Sequence, residues 1–211
     1  MKRKLLIIVL AILAVGAALA VYFIRRGPDM SAYERFRQPT LLSMPSQHML
    51  VVEAIGVPDA VSGDAIGQLF KIYFKLDGVP KGPGMPAPRA RWPINNDTPR
   101  EKWLGRFGLP VPDSVTALPK VDLKPGLTAK IDNWTYGEVA QVLYVGPYSE
   151  ETETIERLRN FIKDKGYEIA GEHEEEYLVG PTMLGKGNPN KYYTLIRYAV
   201  RPVQAPGRDS Q

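Results

Sequence analysis

The chain of 211 residues contains no cysteine. Disulfides, zinc–thiolate centres, iron–sulfur clusters and cysteine nucleophiles are therefore excluded. Histidine is almost as scarce, with only His48 and His173. A Ser-His-Asp triad would have to use one of them, and no Gly-x-Ser-x-Gly turn is present. No histidine–carboxylate spacing reads as a metal site, and there is no glycine-rich phosphate loop. Haem would need His48 or His173 as its axial ligand and is not expected. No catalytic residues, metal or cofactor are expected on these grounds. What is there is ordinary: 44% hydrophobic and 24% charged residues. That composition excludes a chain disordered throughout, a collagen and a coiled coil. The length allows one large domain or two small ones, with enough chain to bury a core.

A net charge of +4 invites a nucleic-acid reading, but the charges are unevenly placed. Lys2, Arg3, Lys4, Arg25 and Arg26 are five of the 27 basic residues, and residues 1–26 hold no acidic one. The remainder therefore has 22 basic against 23 acidic residues, a net of −1. Between the two basic groups, residues 5–24 carry no charge. As a helix this run would be about 30 Å long, the thickness of a bilayer's hydrocarbon core. It is longer than a signal-peptide core, and Val21, Tyr22 and Phe23 are too bulky for a cleavage site. Residues 1–26 are read as a membrane anchor with basic flanks, spanning through 5–24. Nucleic acid is not expected as a partner. The N-terminus is expected inside and the rest of the chain outside the cytoplasm, in a single-pass arrangement.

Residues 27–47 read as a linker with a short helical turn around 31–37, and 204–211 as a disordered tail. The folded domain is expected over 48–203. Within it one order of elements occurs twice. In the second half a β-prone run at 138–145 is broken by Gly146-Pro147. A helix follows, with Ser149 as its cap, Glu150 and Glu151 in its first turn, and Ile155, Leu158, Phe161 and Ile162 as an apolar stripe. Gly166 stops it. Strands are expected at 167–170, 174–179 and 191–201. The first half has a strand at 49–55, a Gly56-Val57-Pro58 break, a helix starting near Asp64, and strands at 87–94 and 102–111. Gly56 matches Gly146, Ile66 matches Leu158, Trp92 matches Tyr177 and Arg106 matches Arg197. A further strand is expected at 126–134. The fold class is α+β: two strand–helix–strand–strand modules, about 48–112 and 126–203, forming one domain with a central cleft.

Val139-Ala140-x-Val142-x-x-Val145-Gly146-Pro147-Tyr148, a helix ending Lys165-Gly166-Tyr167, then Glu175-x-Tyr177-Leu178 and Thr194-x-Ile196-Arg197 together resemble the GyrI-like small-molecule-binding domain. That domain is the effector-binding part of multidrug-responsive and AraC-type regulators. The resemblance extends through Gly108-Leu109-Pro110-Val111-Pro112 and covers about 48–203. It implies the two-module fold and a cleft for lipophilic, often cationic or aromatic molecules, with aromatic walls and one carboxylate. The carboxylate position matches Glu175 and its aromatic neighbour Tyr177. Some relatives are hydrolases that use the same carboxylate. No helix-turn-helix precedes the domain here, and Leu195 stands where relatives often have an acidic residue.

On a strand, residues i and i+2 share a face, so Glu175 and Tyr177 point one way, and Glu174 and Glu176 the other. The alternative for 172–176 is a solvated acidic strand edge. Tyr144, Tyr148, Trp92 and Trp103 are further candidates for the cleft wall, or else packing residues. Arg197 is a candidate partner of a ligand carboxylate or of Glu175, or else a structural ion-pair residue. The leading expectation is a non-catalytic, membrane-tethered binding module for small amphipathic molecules. The alternatives are a hydrolase with Glu175 as base or nucleophile, and a structural protein with an unknown protein partner.

Overall fold

The computed structural model describes residues 29–93, 97–181 and 187–203. The expected anchor at 1–26 and tail at 204–211 lie outside the described residues. Among the described residues no helix is long and apolar enough to cross a membrane. The chain divides into two units, Met1–Glu34 and Arg35–Gln211. In the first unit, Asp29 Oδ1 accepts from the Ser31 backbone N–H at 2.9 Å, where a short 3-10 turn begins.

Among the described residues the second unit holds eight strands and two α-helices: β1 (Thr40–Met44), β2 (Gln47–Ile55), α1 (Pro58–Tyr73), β3 (Arg89–Trp92), β4 (Leu104–Pro110), β5 (Leu127–Trp134), β6 (Gly137–Val145), α2 (Thr152–Asp164), β7 (Tyr167–Val179) and β8 (Tyr193–Pro202). All strands join one antiparallel sheet in the order β1-β6-β8-β7-β3-β4-β2-β5. The expected α+β class and the doubled strand–helix–strand–strand order are both present. The first module contributes β3-β4-β2 and the second β6-β8-β7, in mirrored order about the β3–β7 seam. At the break after each module's first strand the backbone does the same thing twice. Gly56 and Gly146 have φ of 149° and 151°, a region open to glycine, and their N–H groups donate to the carbonyls of Trp103 and Tyr192.

Several expectations are corrected. Residues 27–47 hold not only a turn (Ser31–Phe36) but also β1, which pairs with β6 from Thr40↔Gln141 to Met44↔Gly137. Helix α1 begins at Pro58 rather than near Asp64, because proline suits a first helical position that needs no N–H partner. Helix α2 is preceded by a 3-10 turn at Tyr148–Glu150, so Glu151, not Ser149, stands at its N-cap. The two strands expected at 167–170 and 174–179 are one strand with an irregular register between Ile169 and His173. The registers Val51↔Gly108 and Gln141↔Arg197 make Gly108, not Arg106, the first-module counterpart of Arg197.

The helices cover one face of the sheet. Leu50, Val52, Phe107 and Leu109 pack with Ala65, Leu69 and Ile72 of α1, and Ala140, Val142, Ile196 and Tyr198 pack with Leu158 and Ile162 of α2. The other face is rolled inward. Only Pro45 and Ser46 separate β1 from β2, and only Thr135 and Tyr136 separate β5 from β6. In each case the joined strands stand six places apart in the sheet order. Six spacings amount to about 29 Å in a flat sheet, whereas a two-residue link reaches about 11 Å. The sheet must therefore curl until its two ends meet. Leu42, Met44, Met49, Val51, Trp134, Tyr136 and Val139, drawn from both ends, form a third core cluster inside the curl.

Candidate functional site

The site follows from the position of β7 at the centre of the sheet, between β3 and β8. The run Glu172–Glu176 is therefore not a solvated edge. Glu174 and Glu175 are 2% and 7% exposed. Alternation sends Glu174 and Glu176 into the curl, while His173, Glu175 and Tyr177 face the helix side.

Inside the curl each carboxylate has arginine partners. Across the seam Arg89 pairs in register with Glu176, and Arg91 with Glu174. Arg91 Nε donates to Glu174 Oε2 at 2.6 Å. Arg197 donates to Glu174 and Glu176, both at 2.7 Å, and to Gln141. Tyr136 donates to Glu174 at 3.1 Å, and Arg91 lies 4.0 Å from the centre of the Trp134 ring. Burial pushes the Glu174 carboxyl up, but Arg197, Arg91 and Arg89 together outweigh it and hold it below the usual carboxylate range. Burial lowers Arg197, and Glu176 and Glu174 overcome it, so its charge is fixed.

The helix side is different. His173 Nε2 lies 2.9 Å from Glu175 Oε1, and His173 Nδ1 lies 2.8 Å from the Tyr198 hydroxyl. With Glu175 ionised, Nε2–H donates to the carboxylate and the Tyr198 hydroxyl donates to Nδ1. Arg159 Nη2 donates to the Tyr198 hydroxyl at 3.3 Å. Tyr177 hydrogen-bonds Glu175, and burial together with that carboxylate pushes its hydroxyl pKa up. Glu151, at the start of α2, completes the group. Glu151, His173 and Glu175 offer ligand atoms all within 4.8 Å of one another, the only such trio among the described residues. Among those residues no lysine or arginine pairs with Glu151 or Glu175. Burial first, and the Glu175 charge second, push the Glu151 carboxyl up to about 8. Its Oε2 is buried without a hydrogen-bond partner.

Tyrosines wall the carboxylates. Tyr148 packs edge-on to Tyr177 at 5.4 Å between centroids and tilted on Tyr192 at 5.2 Å. Burial, then the Glu175 charge, raises the Tyr148 hydroxyl pKa. A Cβ on Gly180 would stand 2.6 Å from the Tyr148 hydroxyl, so the bare glycine makes room for this ring. Ala90, the register partner of Glu175, adds little bulk beside it.

Of the residues singled out from sequence, Glu175, Tyr177 and Tyr148 are brought together. Tyr144 is core packing, with its hydroxyl donating to the Pro147 carbonyl at 2.8 Å. Trp92 is buried against Phe107 in the first-module core, beside His173 in register. Trp103 donates to the Thr98 carbonyl at 2.8 Å and packs on the edge of that core. Arg197 faces into the curl, away from Glu175, and its partners are Glu174 and Glu176. Sequence reasoning missed Glu151, His173, Tyr192 and Tyr198. His173-x-Glu175 on one strand face is a readable signal; Glu151 reads only as a helix-start charge, and the two tyrosines carry no signal.

No family model matches the chain, and no curated protein does. Solved structures do. The chain is 26% identical to an uncharacterized conserved protein from Listeria innocua, over 83% of this chain and all of that one, with a TM-score of 0.65. It is 23% identical to a hydrolase from Listeria innocua over the same shares, with a TM-score of 0.62. It is 13% identical to the EcmrR C-terminal domain, over 79% of this chain and 98% of that one, with a TM-score of 0.54. The curled eight-stranded architecture is thus one that other proteins share.

Proposed function

We propose that the chain binds small amphipathic molecules carrying a positive charge, in a GyrI-like cleft beside Glu175. One observation carries this reading: two neighbouring carboxyl groups, Glu151 and Glu175, sit behind a tyrosine wall, and among the described residues no lysine or arginine pairs with them. An organic cation would supply the missing charge, and its flat or apolar part would stack on Tyr148 and Tyr177, with cation–π attraction of about 0.5–2 kcal/mol. The resemblance to effector-binding domains and the likeness in fold to the EcmrR C-terminal domain support the same reading. We further propose that residues 5–24 tether the domain to a membrane, near ligands that partition there; carbonate-resistant retention of the full chain in membranes, lost on deleting 1–26, tests the tether. Calorimetric titration of the full chain in mild detergent with a benzyl-trimethylammonium probe tests the cleft. Glu175→Gln is expected to weaken binding at least tenfold; equal affinity would overturn the assignment.

A second reading is favoured by the Glu151 carboxyl at about 8 beside Glu175. A carboxyl raised that far by burial suits a general acid role. A hydrolase would use Glu175 as base or nucleophile. Turnover of an electrophilic probe, abolished in Glu175→Gln, supports it; stoichiometric binding without turnover favours the module.

A further inference from the structure

We propose that Glu151, His173 and Glu175 form a binding site for a divalent first-row transition metal ion. The inference stands apart from the organic-cation reading and makes the metal ion a competitor for Glu175. Three independent features point to it. The donors are one imidazole and two carboxylates, a mixed set suited to zinc, manganese or ferrous ions. Their spacing is near that of a common ion: His173 Nε2 and Glu175 Oε1 are 2.9 Å apart, and all three donors lie within 4.8 Å, so a small side-chain shift brings them onto one ion. Two ligands at right angles on an ion with bonds of about 2.0–2.2 Å stand about 3 Å apart. Finally, Glu151 Oε2 is buried with no hydrogen-bond partner, and a metal ion would give it one.

The surroundings support ligation. A metal-bound imidazole needs its second nitrogen protonated and held by an acceptor. The Tyr198 oxygen lies 2.8 Å from His173 Nδ1 and can accept as readily as donate. On binding, Nε2 releases its proton to solvent, Nδ1 takes one from solvent so that the ring stays neutral, the Glu151 carboxyl releases its proton to solvent, and the His173–Glu175 hydrogen bond is replaced by two bonds to the ion. The coordination left open would take water or an oxygen of a small ligand. The trio comes from a helix start and one strand face, both anchored in the packed fold, so the donors are held in place before the ion arrives.

The test uses the untagged full chain, stripped with chelator, and Co²⁺ as the probe, because its visible absorption reports ligand number. Saturable uptake of one ion per chain is expected, with a Kd weakened at least tenfold in Glu151→Gln, Glu175→Gln and His173→Gln. Tyr198→Phe should weaken it as well, by roughly tenfold or more. Far-ultraviolet circular dichroism checks that each variant folds; Glu151→Gln, at a partly exposed helix start, keeps the test open if a β7 variant does not. Absence of saturable uptake at millimolar Co²⁺, or uptake unchanged in Glu151→Gln, would overturn the proposal. Separate titrations, Co²⁺ without the probe and the probe without Co²⁺, distinguish the two readings: Co²⁺ binding without probe binding removes the organic-cation reading alone, and the reverse removes this one alone. If both bind, saturating Co²⁺ is expected to raise the probe Kd.

Discussion

Glu151 holds its proton to about pH 8 in the folded chain, against an ordinary 4.5. Between those values the folded state binds more protons than the unfolded one. The Glu151 contribution to stability is therefore full below about 4.5, falls as pH rises, and is lowest above 8. Glutamine mimics the protonated form and escapes this loss. In chelator, Glu151→Gln is expected to match the wild type in urea unfolding at pH 4.5 and to exceed it by up to a few kcal/mol at pH 8.5. Parallel stability–pH curves would contradict the assignment. Gly180→Ala is a second test at this scale. Its Cβ would press on the Tyr148 hydroxyl, so probe affinity should fall severalfold while the unfolding midpoint moves little. Residue by residue, the sequence showed what one strand can show. Alternation placed Glu175 with Tyr177, and Gly-Pro-Tyr put Tyr148 near the helix start. It could not place Tyr198 or Tyr192, which arrive from β8, because cross-strand neighbours depend on register rather than on spacing along the chain.

At the scale of elements, β7 matters most. Its acidic run looks like a solvated edge until β3 and β8 are set on either side of it. Arg197 could be assigned to Glu175 or to its neighbours only once Glu174↔Arg197 fixed the register, since a shift by one residue would turn every side chain to the other face. Removing one partner of a buried ion cluster leaves uncompensated charge. Arg197→Met is expected to cost about 3–5 kcal/mol, read from urea unfolding at pH 7. The depressed Glu174 carboxyl adds a pH signature. Its contribution is present above about 4.5 and is lost as pH falls through its lowered folded value. In Arg197→Met the onset of acid unfolding should therefore move to higher pH. An unchanged acid limb would mean that Arg91 and Arg89 suffice without Arg197.

For the whole molecule, the doubled pattern of elements was readable because each module repeats its own turns and stripes. The exchange of leading strands was not. β1 precedes the first module yet pairs with β6 of the second, and β5 precedes the second yet pairs with β2 of the first. Pairings between distant segments leave no local trace, and residues 40–44 carry too few residues to announce a strand among prolines. The exchange makes each module depend on the other for an outer strand and for part of the inner core. Fluorescence and circular dichroism should report one coincident urea transition for residues 35–211. A chain cut in the 112–126 connection should fold only when both pieces are present. Independent folding of either piece would refute that dependence.

The β3–β7 seam carries a consequence for descent. Two identical modules related by a two-fold axis must place the same residue on both sides of that axis. Ala90 and Glu175 face each other there, and Arg89 and Arg91 face Glu176 and Glu174. A symmetric pair would have set arginine against glutamate only by changing both copies at once, and would have crowded two glutamates, or two alanines, at the centre. Joining the modules in one chain frees the halves to differ. One side can then hold the Glu175 carboxylate while the other keeps the Ala90 methyl group and yields it the space.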